Sequence, residues 1–157
     1  MRASGILLPI SSIPSPHGIG CFDRNAYRFV DTLVSCGQKY WQILPMGPTG
    51  YGDSPYQSFS TFAGNPYFVD LDILHDEGLI TDSELDENRQ QTPYSSEYVR
   101  LYHNRTSLLK KASLRADNRD EIEKFVKSSK YLKAFCEFMA LKAANNGAKW
   151  QDWSISE

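Results

Sequence analysis

Apolar and polar positions follow two regimes along the chain. Near its start, Gly5-Ile6-Leu7-Leu8-Pro9 is a short apolar run closed by a proline, the pattern of a buried strand. A Ser-, Pro- and Gly-rich loop follows. Asp23 then stands at an N-cap position ahead of Ala26, Phe29, Val30, Leu33 and Val34 at helical spacing, and Gly37 supplies a left-handed stop. This predicts a helix over about 23–36. Tyr40-Trp41-Gln42-Ile43-Leu44-Pro45, aromatic and branched, predicts a second strand. Strand, helix and strand in this order form a βαβ unit, whose crossover makes the two strands parallel and calls for cover on both faces. The predicted class is α/β.

Tyr67-Phe68-Val69-Asp70-Leu71 is a weaker strand-like run, and Thr81-Asp82-Ser83-Glu84 has the spacing of a capping box that opens a short helix. Beyond it the period changes. Residues 95–116, about 119–128 and about 130–146 carry apolar positions three and four apart. Val99, Tyr102, Leu109 and Ala112 mark one expected buried face, and Leu132, Phe135, Phe138 and Met139 another.

Composition divides the chain at the same place. All eight prolines and nine of the ten glycines precede residue 94, and 1–93 holds 5 basic and 11 acidic residues against 12 and 8 in 94–157. Two parts, 1–93 and 94–157, are therefore expected. The whole has 157 residues and a formal charge of −2, which suits a globular domain with a real core and gives no basic footprint for nucleic acid or an anionic membrane. The apolar run Ile6–Leu8 ends at Pro9, too short for a signal-peptide core or a membrane span, so a cytoplasmic protein is expected. Cys21, Cys36 and Cys136 show no Cys-x-x-Cys spacing and read as reduced packing thiols. His17, His75 and His103 lie too far apart for a local metal motif, so no metal site is expected.

The most informative stretch is Gly47–Pro66, G-P-T-G-Y-G-D-S-P-Y-Q-S-F-S-T-F-A-G-N-P, which leaves the carboxyl end of the second predicted strand. Loops at that end of a parallel sheet are where ligands bind. Tyr40 to Phe68 holds eight aromatics in 29 residues, with Ser54, Gln57, Ser58, Ser60 and Asn65 among them. Flat apolar faces beside neutral hydrogen-bonding groups suit a sugar ring. A phosphate loop is disfavoured: Gly47 and Gly52 have its spacing, but Asp53 stands where a lysine is needed and Pro55 removes a backbone N–H. The same residues would also make a rigid, well-packed turn with no ligand at all.

The words S-G-I-L-L-P-I-S-S-I-P-S-P-H-G-I-G from Ser4, A-Y-R-F-V-D from Ala26, G-Q-K-Y-W-Q-I-L-P from Gly37 and G-P-T-G-Y-G-D-S-P-Y-Q-S-F-S-T-F-A-G-N-P-Y from Gly47 resemble the amylomaltase family, the 4-alpha-glucanotransferases. The likeness is dense from Arg2 to about Asp72 and thinner through the helical half, where F-M-A-L-K at Phe138 and W-Q-D-W at Trp150 are also similar to that family. Cys21 and Phe22 depart from it, standing where the family often has an acidic residue and a hydrophobe.

The resemblance implies the amino-terminal part of a TIM (β/α)8 barrel with an inserted helical subdomain, the barrel being incomplete in this chain. It implies transfer of α-1,4-glucan segments to glucose or maltooligosaccharide acceptors by a retaining double displacement between two carboxyls, without metal or organic cofactor. No catalytic residue is expected here, because the family's reacting carboxylates belong to later strands; the remainder of the barrel is expected in the full-length polypeptide. Asp53, Asp70 and Asp72 are not the family's catalytic pair, and Asp53 reads as an acceptor that orders its own turn. By resemblance, Tyr56 stacks on a glucose ring, Ser54 and Pro55 line its pocket, and Tyr51 contacts a more remote glucan segment; Gln57 and Asn65 are weaker candidates. Trp150 and Trp153 are either sugar platforms or packing residues. The competing readings are a truncated, non-catalytic glucan-binding or regulatory module, and an unstable fragment whose open sheet leaves an edge uncovered.

Overall fold

The computed structural model describes residues 2–153, except for the side chain of Tyr51. Strands β1 (Gly5–Leu7) and β2 (Tyr40–Gln42) pair in parallel, in a register that runs from Gly5 opposite Tyr40 to Leu7 opposite Gln42. Helix α1 (Arg24–Ser35) is the crossover between them. It begins as the sequence predicts: the Asp23 carboxylate accepts from Asn25 N at 2.8 Å and Ala26 N at 3.0 Å, satisfying donors that the first turn leaves orphaned. It ends at Gly37, whose φ of +68° only glycine adopts at no steric cost. Phe29 meets Trp41 edge to face at 5.0 Å, and Trp41 Nε1 donates to the Leu8 carbonyl at 2.8 Å, which fixes helix to sheet.

The chain departs from expectation at 67–71. The strand-like run there is instead a single 3-10 turn, Pro66–Phe68, followed by α2 (Leu71–Asp76). Two side chains decide this. Asn65 Oδ1 accepts from Tyr67 N at 2.9 Å and Asp70 Oδ1 from Asp72 N at 2.9 Å, so each opens a helical turn and takes the backbone out of the extended region. Helix α3 (Asp82–Glu87) carries the expected capping box, with Thr81 and Glu84 bonded reciprocally.

Helix α4 (Tyr98–Arg115) buries a different face from the one its apolar pattern marks. Val99 and Tyr102 are exposed and Leu109 is half-buried, whereas Leu101, Arg105, Leu108 and Ala112 are buried. The true stripe has a charged residue at its centre, and counting apolar residues alone shifts the expected face. Leu108 and Ala112 join Leu71, Ile80 and Leu85 in the apolar cluster, with Leu74 and Leu79 packed against it. Each such leucine or isoleucine contributes about 1.5–3 kcal/mol by leaving water.

The Ser-, Pro- and Gly-rich loop after β1 is largely buried. Ile10, Ile13, Ser15, His17, Ile19 and Cys21 are all buried, and their backbone groups are satisfied at long range: Ser15 N donates to Pro93 O at 2.9 Å, and Glu97 N to Gly18 O at 2.8 Å.

The chain divides into two compact units, one running to Ala116 and the other starting at Asp117. Composition changes at Pro93 while packing changes after α4, because the buried stripe of α4 belongs to the same body as α2 and α3. The second unit contains α5 (Arg119–Ser128) and α6 (Leu132–Ala144), which contact each other. Leu132, Phe135, Phe138 and Met139 are half-buried there. Among the described residues no helix is long and apolar enough to cross a membrane.

Candidate functional site

A cavity of about 90 Å³ lies where three segments of the first unit meet. Ile10 and Ser11 come from the turn after β1, Asp53, Pro55 and Asn65 from the loop after β2, and Tyr98 from the first turn of α4. The loop is held open by its own backbone and hydroxyl groups. Tyr56 N donates to Ser54 Oγ at 3.4 Å, Gln57 N to Ser54 O at 3.2 Å, and Ser58 Oγ to Ser60 O at 2.7 Å. Its far end is anchored by Asn65 N, which donates to Met46 O at 2.9 Å.

Of the predicted site residues, the structure brings Pro55 and Asn65 together on the cavity. Asn65 is buried, and its side-chain oxygen is committed to the 3-10 turn. Ser54 is half-buried beside them, while Gln57 is exposed. The Tyr56 ring is 73% exposed, an apolar face presented to solvent and not part of a core. The side chain of Tyr51 lies outside the described residues; its backbone opens the 3-10 turn Tyr51–Asp53.

Asp53 behaves otherwise than the sequence suggests. Its backbone adopts φ +53°, unusual for a residue other than glycine, and among the described residues no hydrogen bond from its own turn reaches the carboxylate. Asp53 instead lines the cavity together with Tyr98. Burial, and then the Asp53 charge, push the Tyr67 hydroxyl above its ordinary pKa. Tyr98 is raised by burial and by Asp53, against a hydrogen bond with Ser11 that pulls the other way. Asp70 and Asp72 do not line the cavity: Asp70 caps α2, and Asp72 Oδ1 lies 3.0 Å from His17 Nε2.

Tyr98 and Ser11 are the site residues that sequence reasoning missed. In the sequence Tyr98 lies within the predicted helix over 95–116 and Ser11 within the Ser-, Pro- and Gly-rich loop; only the fold brings them to one cavity with Asp53. Of the two tryptophans, Trp153 packs on Phe138 at 5.5 Å and donates to Ala148 O at 3.1 Å, so it is a packing residue, whereas Trp150 is exposed.

Two parallel strands joined by a crossover helix place the first unit in the α/β class, in which loops leaving the strand ends are where ligands bind. The sequence profile of the 4-alpha-glucanotransferase family matches residues 8–157, and the chain belongs to that family. It is 47% identical over 97% of its length to the 4-alpha-glucanotransferase of Streptococcus pneumoniae, and 40% identical over 98% to that of Thermus thermophilus. It superposes on the solved amylomaltase from Streptococcus agalactiae in complex with acarbose with a TM-score of 0.89 at 41% identity, over 98% of this chain. The match covers 31% of each of those two curated relatives and 32% of the solved chain, so this chain spans about a third of their length.

Proposed function

We propose that this chain is the amino-terminal, glucan-holding part of a 4-alpha-glucanotransferase: the first βα units of a TIM-type barrel, followed by an inserted helical subdomain. The intact polypeptide moves a segment of an α-1,4-glucan from donor to glucose or maltooligosaccharide acceptor with retention, through a covalent glycosyl intermediate. Such chemistry uses two carboxyls about 5–5.5 Å apart, one attacking the anomeric carbon and one serving in turn as acid and base. Those two groups lie on polypeptide beyond the third of the family represented here. The compositional break at residues 93 and 94 marks the proposed start of the helical subdomain in the sequence, while its first helix, α4, packs with the cradle.

The observation that carries this reading is the exposed Tyr56, next in the chain to Pro55, which lines a cavity of only about 90 Å³. A closed small-molecule pocket measures roughly 300–1,000 Å³, so the cavity has the dimensions of one wall of a site. Ser54, Pro55 and Tyr56 then cradle a glucose ring, with Tyr51 toward a remoter part of the glucan and Gln57 and Asn65 as supporting polar groups. Acarbose, bound to the Streptococcus agalactiae relative, is a natural probe ligand. No metal or organic cofactor takes part, nucleic acid and membrane are not partners, and the enzyme works in the cytoplasm.

The test is disproportionation of maltotriose. The intact polypeptide is expected to release glucose and build longer maltodextrins, with no turnover by residues 1–157 alone. Turnover by the segment alone would place the reacting carboxylates here and overturn the division of labour; an intact polypeptide inert toward maltotriose and longer maltodextrins would overturn the activity.

A further inference from the structure

Arg105 is the charged group that neither the core nor the cavity explains. Arg105 is 1% exposed and sits in the buried stripe Leu101, Arg105, Leu108 and Ala112 along α4, which continues the face of the half-buried Tyr98. Burying a guanidinium is costly unless its donors are matched. Among the described residues no carboxylate pairs with it. Its partners are two main-chain carbonyls instead: Nη2 donates to His17 O at 2.6 Å and Nη1 to Val69 O at 3.2 Å, while Nε has no partner. Burial draws the guanidinium pKa down to about 10, which still leaves it charged at neutral pH.

Neither carbonyl lines the cavity itself, but each lies on a segment that also contributes residues to it. His17 lies on the buried segment that contributes Ile10 and Ser11, and Val69 directly follows Phe68 at the end of the aromatic loop. Tyr98, two turns earlier on the same helical face, comes from the third segment and meets Tyr67 edge to face at 6.5 Å. A planar fork can hold two divergent acceptors in fixed relation; a lysine ammonium in the same space reaches one at a time.

We propose that Arg105 is a positioning residue of the glucan site: by clamping the carbonyls of His17 and Val69 to α4, it sets the spacing between the segment after β1 and the aromatic loop. The ligand in this statement rests on the function proposed above; the clamp itself rests on geometry alone.

The experiment compares Arg105→Lys and Arg105→Gln with Leu108→Ala, which lies three residues further along the same stripe in the apolar cluster, all in the intact polypeptide. Amide hydrogen exchange is followed at Asn65, Phe68 and Val69, whose N–H groups are bonded within the loop, and at Leu85 in α3 as a reference. Both Arg105 variants are expected to speed loop exchange at least tenfold while Leu85 stays protected, and to raise KM for maltotriose at least fivefold with kcat within twofold. Leu108→Ala is expected to act the other way, loosening Leu85 more than the loop. Arg105→Lys, the milder change, decides the matter where Arg105→Gln yields no folded protein. Loop exchange that is unchanged, or that rises only in step with Leu85, overturns the clamp, and a loosened loop with unchanged KM overturns its role in the site. If the unsubstituted polypeptide fails to process maltotriose while the variants still loosen the loop, the glucan reading falls and the clamp stands.

Discussion

Glu84 of α3 and Arg115 in the last turn of α4 form a forked ion pair, with Arg115 Nη2 at 3.0 Å from Glu84 Oε1 and Nη1 at 2.5 Å from Oε2. Lys111 Nζ stands 3.3 Å from Oε1, and Thr81 N donates to Oε2 at 3.0 Å. One carboxylate thus closes the α3 capping box and ties that helix to α4. The Arg115 hydrogen bonds, and after them the Thr81 N–H, hold its pKa well below the usual carboxylate range.

A carboxylate depressed in this way stabilises the fold at pH values above its unfolded pKa of about 4.3, and that contribution is lost as pH falls below it toward the folded value. Glu84→Gln is therefore expected to lower the thermal midpoint at pH 7 and to flatten its decline between about pH 5 and pH 2. Melting curves across that range check this; parallel declines in the two proteins would contradict it.

His75 lies in the last turn of α2 with Nε2 2.7 Å from Asp82 Oδ1 and Nδ1 3.7 Å from Asp76. The Asp82 hydrogen bond, more than any other contact, raises its pKa. This contribution has the opposite sign to that of Glu84: it is fully present below the unfolded pKa of about 6.5 and disappears as pH rises through the folded value. Asp82→Asn is expected to move the His75 titration, followed by NMR, down toward 6.5; an unmoved midpoint would assign the shift elsewhere.

Tyr56→Ala is expected to weaken maltooligosaccharide binding by roughly 0.5–1.5 kcal/mol, about two- to twelvefold, on the scale of aromatic contacts. Because the ring is exposed, the melting temperature should hardly change. Calorimetric titration beside a melting curve separates the two effects. Equal affinity for both proteins would remove Tyr56 from the site.

Two glycines are needed for different reasons. A Cβ at Gly20 would lie 2.1 Å from Ile10 O and 2.5 Å from Ile13 O, both backbone atoms that cannot swing away. Gly37 has open space around it and a φ of +68°. Gly20→Ala is expected to cost about 3 kcal/mol or more through forced backbone movement, and Gly37→Ala about 1 kcal/mol through left-handed strain. Denaturant titration should give that order, and the reverse order would mean that the segment after β1 yields more easily than its burial implies.

Burial, followed by the negative charge of Asp23, pushes the Cys21 thiol far above its ordinary pKa, whereas Cys36 and Cys136 are exposed. Only the thiolate attacks a disulfide reagent. Ellman's reagent should therefore modify two thiols in the native protein, and a third only after denaturation.

What could be read in the sequence was whatever local chemistry decides. Asp23 and Gly37 bound α1, and Thr81 with Glu84 opens α3, because caps act within a few residues. The misread stretch at 67–71 turns on Asn65 and Asp70, whose side chains can serve a loop or a cap equally well until the chain around them is placed. The face of α4 was hidden because Arg105, a residue type almost never fully buried, occupies a core position for the sake of carbonyls 88 and 36 residues away. The aromatic loop was legible as a candidate ligand surface. Its opposite walls, Ser11 and Tyr98, were not, since nothing near either residue records what it faces.

The β1–β2 ladder has only two members among the described residues, and Ile6, Leu7 and Tyr40 on it are exposed. Each strand has one side bonded and the other open, so a solution of residues 1–157 alone displays two adhesive rims next to oily patches. Its usable concentration would then be governed by self-association before unfolding, and dilute samples or capping peptides of strand-forming sequence would be the practical way to keep it monodisperse.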